Sequence, residues 1–346
     1  MKTQAAILVE LARPLELVDL EIPALQPGQL LVEITFSGVC HTQLLEARGR
    51  RGADPYLPHC LGHEGAGVVV DTGPDVRRSS GDNVVLSWIK SSGANVPGSV
   101  YSCGGRPVNA GGVTTFSRHA VVSENRTSPL PPDTPHAVAA LLGCAAPTGV
   151  GSVWNTANVQ SGQSVVVLGV GGVGLCAVAA AAARRANPIV AVDRRPDRLQ
   201  LARQMGATNQ LNVDDVDWRE QLAALLPGGV DCAIEASGRP EVMRTALECV
   251  RPQGGTAVVI GNAPHGEQLQ FDPQQLNQGK RLLGTWGGDC VVERDIPLIA
   301  AGIQQRVLPI DQLVGKIYSL DAVNQALDDL EQGATARPLL DMSLIG

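Results

Sequence analysis

The sequence predicts an α/β chain of two domains, one a mostly antiparallel β domain and the other a doubly wound parallel sheet with helices on both faces. Three observations carry this. At 346 residues the chain exceeds the usual single-domain size. Up to about residue 145, short apolar or alternating runs are separated by Pro and Gly; beyond it, strand-like and helix-like segments alternate.

In the first part the strand-like runs are AAILVE, QLLVEITFSGV, GAGVVVDTG, DNVVLSW and SRHAVVS, with PALQPGQ and PLPPDTP as breaks. In the second, VVVLG leads into VGLCAVAAAAARRA, PIVAVD into RPDRLQLARQMGA and DCAIEAS into RPEVMRTALECVR, and TAVVIG follows. Such repetition implies a parallel sheet. From about 286 the chain carries helical material and returns to an apolar PLLDM segment. The expected division is 1–145 with 286–346, and 146–285.

Composition narrows the function. A net charge of -7 argues against nucleic acid or an anionic membrane surface as partner. Eight cysteines scattered over the whole length fit free or metal-bound thiols in a reducing cytoplasm, not a disulfide framework. Glu10 and Arg13 interrupt the first apolar run, so no signal peptide is read there. The uncharged stretch 164–183 is long enough to imitate a membrane span, but its GVGGVG centre breaks it into strand, turn and helix.

That turn is the first chemical signal. Gly169-Val170-Gly171-Gly172-Val173-Gly174 follows a strand and opens a helix. In this context Gly169 permits the tight turn, Gly171 admits a pyrophosphate to the backbone, and Gly174 lets helix and strand pack closely. The next strand ends in Asp193, where a carboxylate meets the adenosine ribose hydroxyls and repels a 2′-phosphate. NAD is therefore expected over NADP, although Arg194 and Arg195 follow directly. The pattern is that of a Rossmann coenzyme domain.

A second signal is sparser. Cys40 in SGVCHTQ and His63 in GHEGAGVVV stand in turns beside apolar strands, without the close CxxC or HxxxH steps of a structural zinc finger. Taken singly, a buried cysteine or histidine is ordinarily core.

Over essentially its full length the chain resembles the zinc-dependent medium-chain alcohol dehydrogenases, through GVCHT, GHEGAGVV, GDNVVLSW, TTFSRHAVV, LLGCAAPTGVGS, VVVLGVGGVGL and AVDRRPDR. The resemblance implies a GroES-like catalytic domain beside the Rossmann domain, and one catalytic Zn2+ on Cys40, His63 and Cys144. Three such donors leave the fourth tetrahedral position to water or substrate. The zinc would act as a Lewis acid on the substrate oxygen while hydride passes to or from C4 of the nicotinamide. Thr42 matches the hydroxyl that takes the alcohol proton. The family often continues that path through a histidine three positions on, and here that position is Leu45.

Further roles follow from the same resemblance. Glu64 matches the acidic residue beside the zinc histidine, supporting it or ligating transiently. His41 and Arg337 match residues that meet the pyrophosphate, Arg198 a basic residue near the adenosine ribose, and Thr148 a threonine against the nicotinamide. Ile260, in TAVVIG, is taken as another coenzyme contact. Trp88 and Phe116 match the apolar wall of the substrate pocket. The family's structural-zinc lobe, with its four close cysteines, has no counterpart: IKSSGANVPGS follows GDNVVLSW directly, and Cys103 is read as an ordinary thiol.

The expected partner is a small alcohol or carbonyl substrate, and the expected assembly a homodimer or homotetramer. Arg48, Arg50 and Arg51 stand in the loop that approaches the pocket in relatives; a guanidinium cluster there suits an anionic or sugar-derived alcohol. A polyol or cyclitol dehydrogenase is the second enzymatic reading, against which stands Cys144, where such enzymes usually have Glu. A noncatalytic binding or structural member of the fold is the reading from another class.

Overall fold

Strand Gln29–Gly38 organises the first part of the chain in the computed structural model, which describes residues 1–344. Its run QLLVEITFSG is buried over most of its length and pairs antiparallel with Glu64–Thr72, His119–Ser123 and Leu339–Asp341. Asn83–Ser87 and Thr127–Pro129 extend the sheet on one side, and Ile317–Tyr318 on the other. Lys2–Leu8, Glu16–Glu21, Val100–Cys103, Arg106–Asn109 and His59–Cys60 close a small barrel. Leu30, Val32, Val69, Leu86 and Phe116 form one core with Leu340 and Met342. The end of the chain thus completes the domain that its beginning starts, and truncating a large aliphatic side chain there would cost about 2–5 kcal/mol.

This unit comprises Met1–Cys144, Val291–Ala300 and the stretch from Val314 onward. The other comprises Ala145–Cys290 and Ala301–Leu313. The second unit therefore takes up a short late segment as well. The turn Ile310–Leu313 packs on helix Gly172–Ala183, with Ile310 and Leu313 buried.

The second unit holds a six-stranded parallel sheet in the order Asn209–Asn212, Ile189–Asp193, Val165–Leu168, Cys232–Glu235, Thr256–Val259, Arg281–Gly284. Numbered along the chain this is 3-2-1-4-5-6, the doubly wound order of a Rossmann fold. Its central strands are continuous apolar runs because helices cover both faces. Helix Gly172–Ala183 is buried on nearly every side, which accounts for the uncharged stretch 164–183. No helix among the described residues is long and apolar enough to cross a membrane. The two edge strands, Asn209–Asn212 and Arg281–Gly284, carry polar residues and lack the apolar signature of the interior ones.

Candidate active site

Cys40, His63 and Cys144 all belong to the first unit, and their ligand atoms lie within 4.8 Å of one another. Cys40 is not in a simple turn: it is the extended residue that opens helix His41–Ala47. His63 follows Gly62, whose φ is +89° and where an added Cβ would lie 2.4 Å from Thr115 Oγ1. Only glycine lets the chain turn there and enter strand Glu64–Thr72 with the imidazole projecting back. Cys144 follows helix His136–Leu141. His63 Nε2 lies 3.3 Å from Cys144 Sγ, close to the roughly 3.5–3.8 Å edges of a tetrahedral zinc site with Zn–S and Zn–N bonds of about 2.3 and 2.0 Å.

The electrostatics suit a soft dication. Cys40 is drawn well below the ordinary thiol range, first by its hydrogen bond with Cys144 and, against burial, by Arg337 and His63. Cys144 is pushed well above that range by the same hydrogen bond and by burial. Burial pulls His63 down, but Cys40 and Glu64 outweigh it and the net shift is upward. Two thiolates in this volume repel one another; a zinc ion would relieve that repulsion and lets both ionise.

Around the three donors the expected residues fall into distinct places. Thr42 is half-buried, with Oγ1 3.8 Å from Cys40 Sγ. Trp88 stands edge-on to His63, ring centroids 6.5 Å apart, and its carbonyl accepts a hydrogen bond from Arg126. His41 is exposed at the first position of its helix. Leu45 is buried in the same helix. Glu64 is fully buried and accepts a hydrogen bond from Arg337, itself 3% exposed. Arg337 is thus tied to the carboxylate beside the zinc histidine, a contact that its expected pyrophosphate role did not anticipate.

One expectation needs correction. Phe116 is no pocket wall: it has no exposed surface, and its backbone is held by Leu61 and Ala6, which fixes the ring in the core under Gly62. The loop arginines lie at the surface beside carboxylates: Arg48 pairs with Asp328 and Glu331, Arg50 with Glu331 at 2.9 Å, and Arg51 approaches Glu46 at 3.8 Å.

Two features were not foreseen. The Gln43 side chain meets Nδ1 of His63, and a cavity of about 330 Å3 is lined by Gln43 and His63 with Glu46, Asp54, His59 and Gly111. Nothing in the string HTQLL separates Gln43 from a solvent-facing polar residue; the helix starting at Cys40 turns it inward.

In the second unit, the glycine turn links strand Val165–Leu168 to helix Gly172–Ala183, with Gly171 before the helix and Gly172, Val173 and Gly174 in its first turn. At Gly174 a Cβ would lie 2.0 Å from Gly169 O, so the close approach needs glycine. Asp193 ends its strand and accepts hydrogen bonds from Val170 N at 2.8 Å and Arg195 N at 3.0 Å, bracing the turn. Arg198 is buried beside Gly171. Thr148 is 8% exposed, and among the described residues its Oγ1 has no hydrogen-bond partner. Ile260 follows strand Thr256–Val259, its N–H bonded to Glu235 O. A cavity of about 260 Å3 at the carboxyl ends of the strands is lined by Gly169, Asp193 and Arg194, and also by Trp218, Arg219 and Arg239, which sequence reasoning missed.

Comparison with known proteins agrees with this geometry. Residues 26–132 match the alcohol dehydrogenase GroES-like domain, and residues 172–301 the zinc-binding dehydrogenase family. An S-(hydroxymethyl)glutathione dehydrogenase of Synechocystis is 34% identical over 98% of this chain and 100% of its own length. Among solved structures, an alcohol dehydrogenase zinc-binding domain protein from Burkholderia ambifaria superposes with a TM-score of 0.91 at 31% identity. Benzyl alcohol dehydrogenase from Acinetobacter calcoaceticus gives 0.89, also at 31% identity, each covering 99% of both chains. The chain belongs to the zinc-dependent medium-chain alcohol dehydrogenase family. It is a zinc-dependent oxidoreductase that interconverts alcohols with aldehydes or ketones by hydride exchange with a nicotinamide coenzyme.

Proposed function

We propose that this enzyme holds one catalytic Zn2+ on Cys40, His63 and Cys144, uses NAD(H) in preference to NADP(H), and oxidises a small, uncharged primary alcohol or reduces the matching aldehyde. The convergence of two thiols and an imidazole in the first unit carries the reading. When bound, the zinc supplies Lewis acidity toward the substrate oxygen. Thr42, beside Cys40, is suited to take the alcohol proton; Leu45 cannot pass it on, so water or another base takes that place. Glu64 and Arg337 form the buried ionic support of the metal group.

On the coenzyme side, Gly169, Gly171, Gly172, Val173 and Gly174 are suited to the pyrophosphate, Asp193 to the adenosine ribose, and the unpartnered Thr148 hydroxyl to the nicotinamide. We assign Ile260, Arg198 and His41 to the coenzyme more loosely, from their positions. Asp193 at the strand end favours NAD, and Arg194 in the cavity wall leaves NADP as the weaker coenzyme. An uncharged substrate is favoured because Arg48, Arg50 and Arg51 already face carboxylates, while Trp88 offers an apolar surface beside His63.

We keep the reading of one catalytic zinc per chain, on the three donors that converge. We further propose a homodimer or homotetramer in the cytoplasm; Trp286, 76% exposed just after the edge strand Arg281–Gly284, is a surface that self-association would cover. The test is metal analysis with an NAD-coupled screen of aliphatic, aromatic, polyol and anionic alcohols. About one zinc per chain and turnover of uncharged primary alcohols are expected. Absence of zinc from protein purified in its presence would overturn the proposal.

A further inference from the structure

The first unit holds a further cavity, of about 360 Å3, whose wall includes none of the metal donors and none of the residues assigned to substrate or coenzyme. Pro129, Leu130, Pro131, Val292, Ile296 and Pro297 give it a largely apolar lining. The prolines bring no N–H, and Val292 and Ile296, one turn apart on helix Val292–Gln304, present their buried side chains on one face.

Most polar side chains in this wall are already engaged. Ser91 Oγ donates to Thr127 O at 2.8 Å, Thr127 Oγ1 donates to Glu124 O at 2.8 Å, and Ser92 Oγ accepts from Arg77 at 3.1 Å. Glu293, the carboxylate of the wall, accepts from the Ser92 N–H, and nearby Glu124 is taken by Arg77 at 3.4 Å. Two side chains of the wall remain. Ser128 is 6% exposed, and among the described residues its Oγ has no hydrogen-bond partner. Among the same residues Arg78 has no partner for its Nε and enters no ion pair.

The chemistry of these two groups selects a ligand. A guanidinium only donates and keeps its charge, so its complement must accept and be negative; a hydroxyl can donate to the same group. The rest of the lining has little to offer a polar molecule and is stabilised by covering hydrocarbon. Small-molecule sites span roughly 300–1,000 Å3, and a cavity at the lower end of that range admits a chain of modest length or a single ring. We propose that this cavity binds a monocarboxylate with a hydrocarbon body, the carboxylate on Arg78 and Ser128 and the body against the prolines, Val292 and Ile296.

The test is titration calorimetry of octanoate into zinc-replete wild type, Arg78→Gln and Ser128→Ala, with acetate and octylammonium as controls. Wild type is expected to bind octanoate, Arg78→Gln to bind it about tenfold or more weakly, and Ser128→Ala about three- to tenfold more weakly. Acetate, which lacks the body, and octylammonium, which carries the opposite charge, are each expected to bind at least about tenfold more weakly than octanoate. Neither substitution should change kcat or KM for an uncharged alcohol, which separates this cavity from the metal group. A wild type that takes up no octanoate, leaving the cavity to water, would overturn the inference. So would octanoate binding equally to wild type and Arg78→Gln, which would place it elsewhere, for instance at the metal. Should Arg78→Gln fail to fold, octylammonium binding as well as octanoate to wild type overturns it by itself.

Discussion

Glu64 and Arg337 form a buried ion pair between residues far apart in the chain, beside the three converging donors. Both side chains are almost wholly buried, so removing one partner strands the other charge. Arg337→Met is expected to destabilise the protein by about 3–5 kcal/mol and to weaken zinc retention, measured by chemical denaturation and chelator competition on the same preparation. Thr42, whose Oγ1 lies 3.8 Å from Cys40 Sγ, is the residue proposed to take the alcohol proton, and its replacement tests that proposal. Thr42→Val should lower kcat by roughly 10²–10⁴-fold with little change in melting temperature; kinetics with a deuterated and an ordinary alcohol would check whether hydride transfer remains in the rate-limiting step.

At the scale of elements, two junctions matter. Gly62 joins the short strand His59–Cys60 to Glu64–Thr72 with a backbone that favours glycine, against a neighbour that leaves no room for a methyl group. In Gly62→Ala the φ alone costs about 1–2 kcal/mol, and the clash with Thr115 should move His63; zinc content per folded chain is expected to fall. The second junction ties helix Val323–Glu331 to strand Ile317–Tyr318. Asp329 accepts hydrogen bonds from Lys316 at 2.8 Å, Tyr318 at 2.5 Å and Gln325 at 2.7 Å, and these hold its carboxyl down to about 2. A carboxyl that is more acidic when folded stabilises the fold above its unfolded value, near 3.9, and loses that contribution as pH falls toward 2. The melting-temperature gap between wild type and Asp329→Asn should be full at pH 7 and close between about pH 4 and pH 2.

For the whole molecule, metal and coenzyme supply the decisive measurements. Dialysis against a chelator should abolish alcohol oxidation and lower the melting temperature, because zinc binds the folded chain alone, and added zinc should restore both. Coenzyme preference is expected to favour NAD over NADP, and Asp193→Ser to narrow that preference; kcat/KM for the two coenzymes measures it. Much of this design was legible in the chain. The apolar runs from VVVLG to TAVVIG announced the central parallel strands because both faces of that sheet are covered, and the glycine turn could be read because its three tasks demand glycine at fixed spacing. The polar edge strands gave no such signal, since an edge needs little burial. For the metal donors, the sequence by itself determined which side chains were available and, through resemblance, which ones to join. Only the tertiary structure decided that Cys40 opens a helix, that Gln43 on that helix reaches His63, that Arg337 turns to Glu64, that Phe116 is core and that the loop arginines are already paired. Each of these depends on contacts between residues far apart in the chain or on the direction a helix gives its side chains, and neither is written in local composition.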